Sequence, residues 1–232
     1  MHIITDNLNE QIQNLIKQRI FNKEYKTGEQ INTKEIAAEH GISTMPVRDA
    51  LQELTLSGLV INRERVGFFV KIFTLDEVKD IIAVRRMYEV FNLDSQFDVL
   101  NREKLTQIYH TLSQNEQVSN KTLTQEDYRI KLDYEIHKSF IAASHNPFLI
   151  QQYEKMLDMF VLFSYKDNTR YENANKEHLL LLENILQYNK EGAISTLNTH
   201  LDLTQEEILA AMVSENKTYS VVPRKKRKIK EI

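Results

Sequence analysis

Apolar residues recur every three or four positions along most of the chain, and the stretches between these runs are short and polar. Leu8, Ile12, Leu15, Ile16 and Ile20 share one face with Arg19 and predict a helix over about residues 7 to 22. The segment YKTGEQ breaks it. NTKEIAAEHG then opens on Asn32 with Glu35 three residues later, a capping box, and closes on Gly41, which can take the left-handed turn. Ser43 can cap the next helix, Pro46 is tolerated in its first turn, and the pattern ends at Ser57 and Gly58. LVINRERVGFFVKIF changes period to two and predicts a hairpin with its tip at Arg63 to Gly67. Two short helices joined at a glycine and followed by a hairpin make a winged helix-turn-helix, assigned to residues 1–72.

Helical periodicity returns after KIFTLDEV and continues almost unbroken. Helices are expected at about 75–98, 101–117, 124–145, 147–166, 173–189 and 191–214. Asn92 and Ser95 are weak breakers, VSNKTLT is a polar loop, Asn146 and Pro147 stop the third helix, and NKEGA turns the fifth into the sixth. Short connections imply an antiparallel six-helix bundle over residues 75–215, whose interior is where bundles build their sites. The expected fold class is therefore mainly α: an N-terminal winged helix-turn-helix and a C-terminal all-α bundle, with residues 216–232 left as a tail.

Composition narrows the chemistry. With 232 residues and 41% hydrophobic content there is enough material for two modest cores. Only five Gly and three Pro are present, too few for an all-β fold, and no Gly-rich phosphate loop occurs. Zero cysteines exclude disulfides and every thiolate-ligated metal site, so a metal here must be held by His, Asp or Glu. No apolar run approaches the ~18 residues of a membrane span, and no leader pattern follows Met1. The expectation is a soluble, cytoplasmic chain.

The net charge of −3 conceals a division. Residues 1–75 carry nine Lys/Arg and nine Asp/Glu, residues 76–222 carry fifteen and twenty-three, and residues 223–232 carry six and one. The basic end, PRKKRKIKEI, reads as a solvated polar tail or as a non-specific phosphate-binding arm. Zero net charge in the first domain means that any affinity for DNA rests on local clustering and on dimerisation.

Two sets of residues carry candidate chemistry. Ser43, Thr44 and Arg48 stand near the start of the second short helix, where backbone N–H groups and hydroxyls meet phosphate and arginine forks onto phosphate or a guanine edge. Lys34 adds a cation at the start of the first. The other reading of Arg48 is a surface ion pair with Asp49 or Glu53. In KLDYEIHKSF, Asp133 and His137 lie one turn apart among Ile130, Ile136, Phe140 and Ile141, so both point into one space. A metal ion and a plain Asp–His hydrogen bond both suit that pair. His178 in HLLLLENIL and His200 in STLNTHLDL have apolar neighbours at helical spacing, and the four residues can converge from three helices. One carboxylate and three imidazoles suit Zn²⁺ foremost, and also Ni²⁺ or Mn²⁺, with positions left for water or a ligand's oxygens.

The stretch from IFNKEYKTGEQ through GISTMPVRDALQEL to SGLVINRERVGFFV resembles the amino-terminal domain of GntR-type bacterial transcription regulators. That resemblance implies that Lys34, Ser43, Thr44, Arg48 and the wing tip around Gly67 face DNA. The position of Thr44 is often Arg in that family, which leaves base reading open here. LDYEIHKSFIAASHNPFL, KEHLLLLENIL and TLNTHL resemble the FCD effector-binding domain that accompanies many such regulators, of the FadR-like group. Its metal-binding members carry D-x-x-x-H, then His, then His, which implies Asp133, His137, His178 and His200 as ligands. VRRMYEV resembles its first helix and places Arg85 and Glu89 at the pocket, although Arg86 can take that role and either arginine can simply pair with Glu89. The short linker resembles the six-helix branch. Tyr134, Phe160, Phe163 and Tyr165 either line a cavity or fill the core.

The function these readings point to is a homodimeric transcription regulator, a repressor, that binds a palindromic double-stranded DNA operator. A small organic acid would reach the metal's open positions with Arg85 as counter-charge. The alternatives are a metal-sensing regulator, a metal-dependent hydrolase with an attached DNA-binding domain, and an architectural DNA-binding protein with an inert bundle.

Overall fold

The structure, a computed structural model of the chain, describes residues 5–115, 123–164 and 168–214. The polar loop expected at VSNKTLT falls largely outside the described residues, as does the basic tail, and so do the side chains of Phe163 and Tyr165.

The first part of the chain forms helix α1 (Thr5–Phe21), strand β1 (Gln30–Ile31), helices α2 (Thr33–Glu39) and α3 (Thr44–Leu56), and strands β2 (Val60–Arg63) and β3 (Gly67–Val70). Asn32 caps α2 as its type dictates, its side chain accepting from the Lys34 N–H at 3.1 Å. Glu35 answers it through the Asn32 side-chain amide at 2.6 Å rather than through the backbone, so the box is closed differently from the reciprocal pattern. Ser43 occupies the N-cap position of α3 but makes no side-chain cap bond. Its hydroxyl is left facing solvent. Gly41 takes φ +64° between the two helices, the left-handed value that the turn requires. The wing hairpin pairs Val60 with Val70 and Arg63 with Gly67, around the expected tip.

Sequence periodicity missed β1. Two residues are too few to show alternation, and the strand exists because Gln30 and Ile31 pair with Phe69 and Phe68 of β3, giving the sheet order β1-β3-β2. Ile12, Ile16, Ile20, Ile36, Leu51, Leu54 and Phe68 close the core beneath. Leu8, expected on the apolar face of α1, is exposed.

The bundle comprises α4 (Leu75–Ser95), a 3-10 turn (Phe97–Val99), α5 (Arg102–Asn115), α6 (Leu123–Ala142), α7 (Pro147–Ser164), α8 (Asn168–Leu186) and α9 (Lys190–Ser214). Thr74 and Glu77 form a full capping box at the start of α4, which fixes its entry directly behind the wing. The 3-10 turn ends α4 three residues before the expected boundary, and α8 begins five residues earlier than expected. α9 packs along both α8 and α4, so the longest helix becomes the spine of the bundle. Among the described residues no helix is long and apolar enough to cross a membrane.

Candidate functional site

Four helices of the bundle aim polar side chains at one buried point. α6 supplies Asp133 and His137 one turn apart, α8 supplies His178, α9 supplies His200, and α4 supplies Arg85 and Glu89. His137, His178 and His200 are buried, and one ligand atom from each of them and from Asp133 falls within 4.8 Å of all the others. His137 Nε2 lies 3.1 Å from His178 Nε2, and Asp133 Oδ1 lies 3.2 Å from His178 Nε2 and 3.7 Å from His137 Nε2. Zinc–ligand bonds of about 2.0–2.2 Å place neighbouring tetrahedral ligand atoms roughly 3.3–3.6 Å apart, close to the spacing among Asp133, His137 and His178, with His200 completing the set within 4.8 Å.

The outer partners decide which lone pairs face inward. His137 Nδ1 stands 2.7 Å from Glu89 Oε2, and His200 Nδ1 stands 2.7 Å from Glu177 Oε2. A carboxylate can only accept, so each imidazole donates from Nδ1 and keeps its Nε2 lone pair for the centre. Together with the Asp133 carboxylate, these groups present acceptors to a common volume. Such a set calls for a cation. Burial pushes His178 down to about 4, with the Asp133 charge opposing and His137 and Arg85 reinforcing. Burial also drives His200 well below the ordinary histidine range, aided by His178, His137 and Arg85. Both imidazoles are neutral near pH 7, the form that ligates metal.

Glu89 ties the second layer together. Its Oε1 accepts from Arg85 Nε at 2.5 Å and from the Tyr153 hydroxyl at 2.6 Å, while Oε2 receives His137. Burial would raise this carboxyl, but the Arg85 charge and the hydrogen bonds from His137 and Tyr153 outweigh it and hold Glu89 far below the usual carboxylate range. Arg85 is 1% exposed and lies 4.2 Å above the Phe160 ring. It does form the intrahelical pair with Glu89 that spacing allowed, and its charge is nevertheless felt at His178 and His200. Arg86 points elsewhere, bonding Asn198 at 2.5 Å and pairing with Asp202 on α9. Phe160 and Tyr134 pack into the apolar core, which resolves the choice between cavity and core for those two rings.

Sequence reasoning missed Glu177 and Tyr153. Glu177 directly precedes His178 yet serves His200 across the α8–α9 contact, and neighbours in sequence do not share a helix face. Tyr153 carries no local signal, and its role exists only because Glu89 stands opposite its hydroxyl, sixty-four residues away in the chain.

On the winged domain, Lys34 of α2, Ser43 before α3, and Thr44 and Arg48 of α3 are all exposed. Among the described residues no ion pair ties Arg48 to Asp49 or Glu53. Gly67 takes φ +131° beside the wing tip, with Gln30 Nε2 donating to the Val66 carbonyl at 2.9 Å across the sheet edge. Its φ of +131° strains any L side chain, and a Cβ there would also push the Gln30 amide, 2.9 Å away, off its bond.

Comparison with known proteins fits both halves. Residues 8–70 match the family described as bacterial regulatory proteins, gntR family, and residues 80–203 match the FCD domain. The chain is 28% identical over 195 residues to the HTH-type transcriptional regulator YdhC of Bacillus subtilis (strain 168), covering 83% of this chain and 87% of that one. E. coli McbR/YncC has the same fold, with TM-score 0.71 at 19% identity over 89% of this chain and 98% of that chain. The Zn²⁺-bound FCD domain of TM0439 is 30% identical with TM-score 0.54, covering 62% of this chain and 99% of that one.

Proposed function

The chain belongs to the GntR family of transcriptional regulators and carries an FCD domain, and from that premise we propose that it senses a small carboxylate at a metal centre. Asp133, His137, His178 and His200 would hold the ion, Zn²⁺ first and Ni²⁺ or Mn²⁺ as alternatives. The observation that carries this reading is the inward set of acceptors fixed by Glu89 and Glu177, a donor set that asks for a cation. The Zn²⁺ in the related TM0439 domain supports it. When bound, the ion would supply a Lewis acid for the oxygens of an organic acid, with the charge of Arg85 beside it.

In the winged domain, Lys34, Ser43, Thr44, Arg48 and the wing at Gly67 would meet a palindromic operator as a homodimer, in which two copies read two half-sites. The outward face of α4 offers apolar surface for the second copy, since Val84, Met87 and Phe91 line a groove of about 740 Å³ with Leu149. Repression is then relieved when effector binding favours an arrangement that holds DNA poorly. An inducer that weakens operator affinity tenfold needs only about 1.4 kcal/mol of coupling.

Native mass spectrometry with elemental analysis tests this directly. The expected result is a dimer with one divalent ion per chain and a displaceable organic acid. A metal-free monomer would sink the proposal. One observation favours a second reading, in which the metal itself is the signal: Arg85 already spends its Nε on Glu89 and is almost wholly buried. Stripped protein that binds the operator, and releases it on addition of metal alone, would establish that reading over the first.

A further inference from the structure

One helix besides α4 joins the groups around the metal ligands to the winged domain. Tyr153 and Phe160 of α7 both touch the buried network, the first through its bond to Glu89 at 2.6 Å and the second beneath Arg85 at 4.2 Å. The same helix touches the other domain with Asp158, Met159 and Leu162. Asp158 Oδ2 pairs with Lys17 Nζ of α1 at 2.5 Å, and Met159 and Leu162 pack against the winged core. Gly58, which follows α3, sits so close that a Cβ there would lie 2.8 Å from Met159 Sδ, and its φ of +82° needs glycine as well. Tyr153 and Asp158 are five residues apart, about 7.5 Å along a stiff helix. A displacement at one end is therefore felt at the other.

We propose that α7 is the element that couples occupancy of the metal centre to the seat of the DNA-reading helices, an inference that rests on the metal reading of that centre. An ion on His137 Nε2 polarises the ring and strengthens the Nδ1–H bond to Glu89 Oε2. The carboxylate is drawn towards α6, and its hold on Tyr153 and Arg85 changes in step. α7 then shifts against α1 and the end of α3, where the Lys17–Asp158 pair and the Met159–Gly58 contact transmit the movement. The winged-domain residues in these contacts, Lys17 and Gly58, are distinct from Lys34, Ser43, Thr44 and Arg48, so coupling and DNA contact would use different residues.

The test uses the full chain and Zn²⁺ alone as probe, with calorimetry to count bound ions and hydrogen exchange to follow each helix. Zn²⁺ is expected to slow exchange in α6, α8 and α9 and also to change it in residues 5–21 and 44–58. Tyr153→Phe and Asp158→Asn are each expected to reduce the change in the winged domain by at least about twofold, the lower end of what substitutions along a coupling route produce. Asp158→Asn should keep the wild-type Zn²⁺ stoichiometry, because Asp158 touches no ligand. If Zn²⁺ binds and protects the bundle while residues 5–21 and 44–58 exchange identically with and without it, α7 is not the coupling element. The same follows if both variants respond as wild type. Absence of Zn²⁺ uptake altogether removes the metal reading itself, and the coupling with it.

Discussion

In the winged domain the buried residues are Ile, Leu, Val, Ala and Phe, while Lys34, Ser43, Thr44 and Arg48 all stand in solvent. In the bundle Arg85, Glu89, His137, His178 and His200 lie beneath apolar layers. The two domains thus place their candidate chemistry on opposite sides of the fold boundary. DNA is a large polyanion that must be met at a surface, so its contacts cost the fold little. A small ion or acid is held by surrounding it, so its contacts are part of the core, and stability and occupancy become one quantity.

The sharpest way to break this contrast is Glu89→Ala, which removes the acceptor shared by Arg85, His137 and Tyr153. Leaving a buried charge unpaired costs about 3–5 kcal/mol, so urea unfolding of this variant should show a loss of that order. A loss below about 1 kcal/mol would mean that the network is not a structural unit.

Acid should act on the same region next. His178 has its folded value lowered to about 4 against an ordinary value of 6.5, so the unfolded chain takes up a proton that the fold refuses. Metal-free protein should therefore hold full stability above pH 6.5, lose roughly 3 kcal/mol between pH 6.5 and 4, and lose no more from this group below that. His200 adds in the same direction. Denaturation at a series of pH values checks this, and His178→Gln should flatten the slope.

A smaller effect is expected from Glu177→Ala, which frees the His200 ring without touching the ligand atoms. Loss of such an outer carboxylate typically weakens metal binding about 10–100-fold, measurable by competition with a chromogenic chelator. The smallest change in stability belongs to the other domain. Arg48→Ala should leave the fold within about 0.5 kcal/mol of wild type. Its DNA affinity should fall, and the salt slope of binding to duplex DNA should drop by about one if Arg48 meets a phosphate. Fluorescence anisotropy across a salt series separates these two outcomes.

Much of the architecture follows from short-range rules that a single sequence displays. Asn32 marks the start of α2, Gly41 its end, Asn146 and Pro147 the gap between α6 and α7, and the apolar period of each helix shows which side must be covered. The wing was legible because β2 and β3 are joined by a tight turn. β1 was not, since its two residues become a strand only through pairing with β3. The same division runs through the site. Asp133 and His137 declare themselves by one helical turn within one segment, and the resemblance to FCD domains points to His178 and His200.

Which partner each imidazole keeps was decided by packing alone. Glu89 reaches His137 from forty-eight residues away, Glu177 turns from its own neighbour to His200 on the next helix, and Tyr153 meets Glu89 across sixty-four residues. The sequence by itself determined the helices, their apolar faces and the residue types able to hold an ion, because those depend on neighbours within one or two turns. Only the tertiary structure decided that three helices would bring acceptors to a common point and that α7 would touch both the surrounding network and the winged domain. Those distances depend on how several helices pack at once, and no local spacing encodes them.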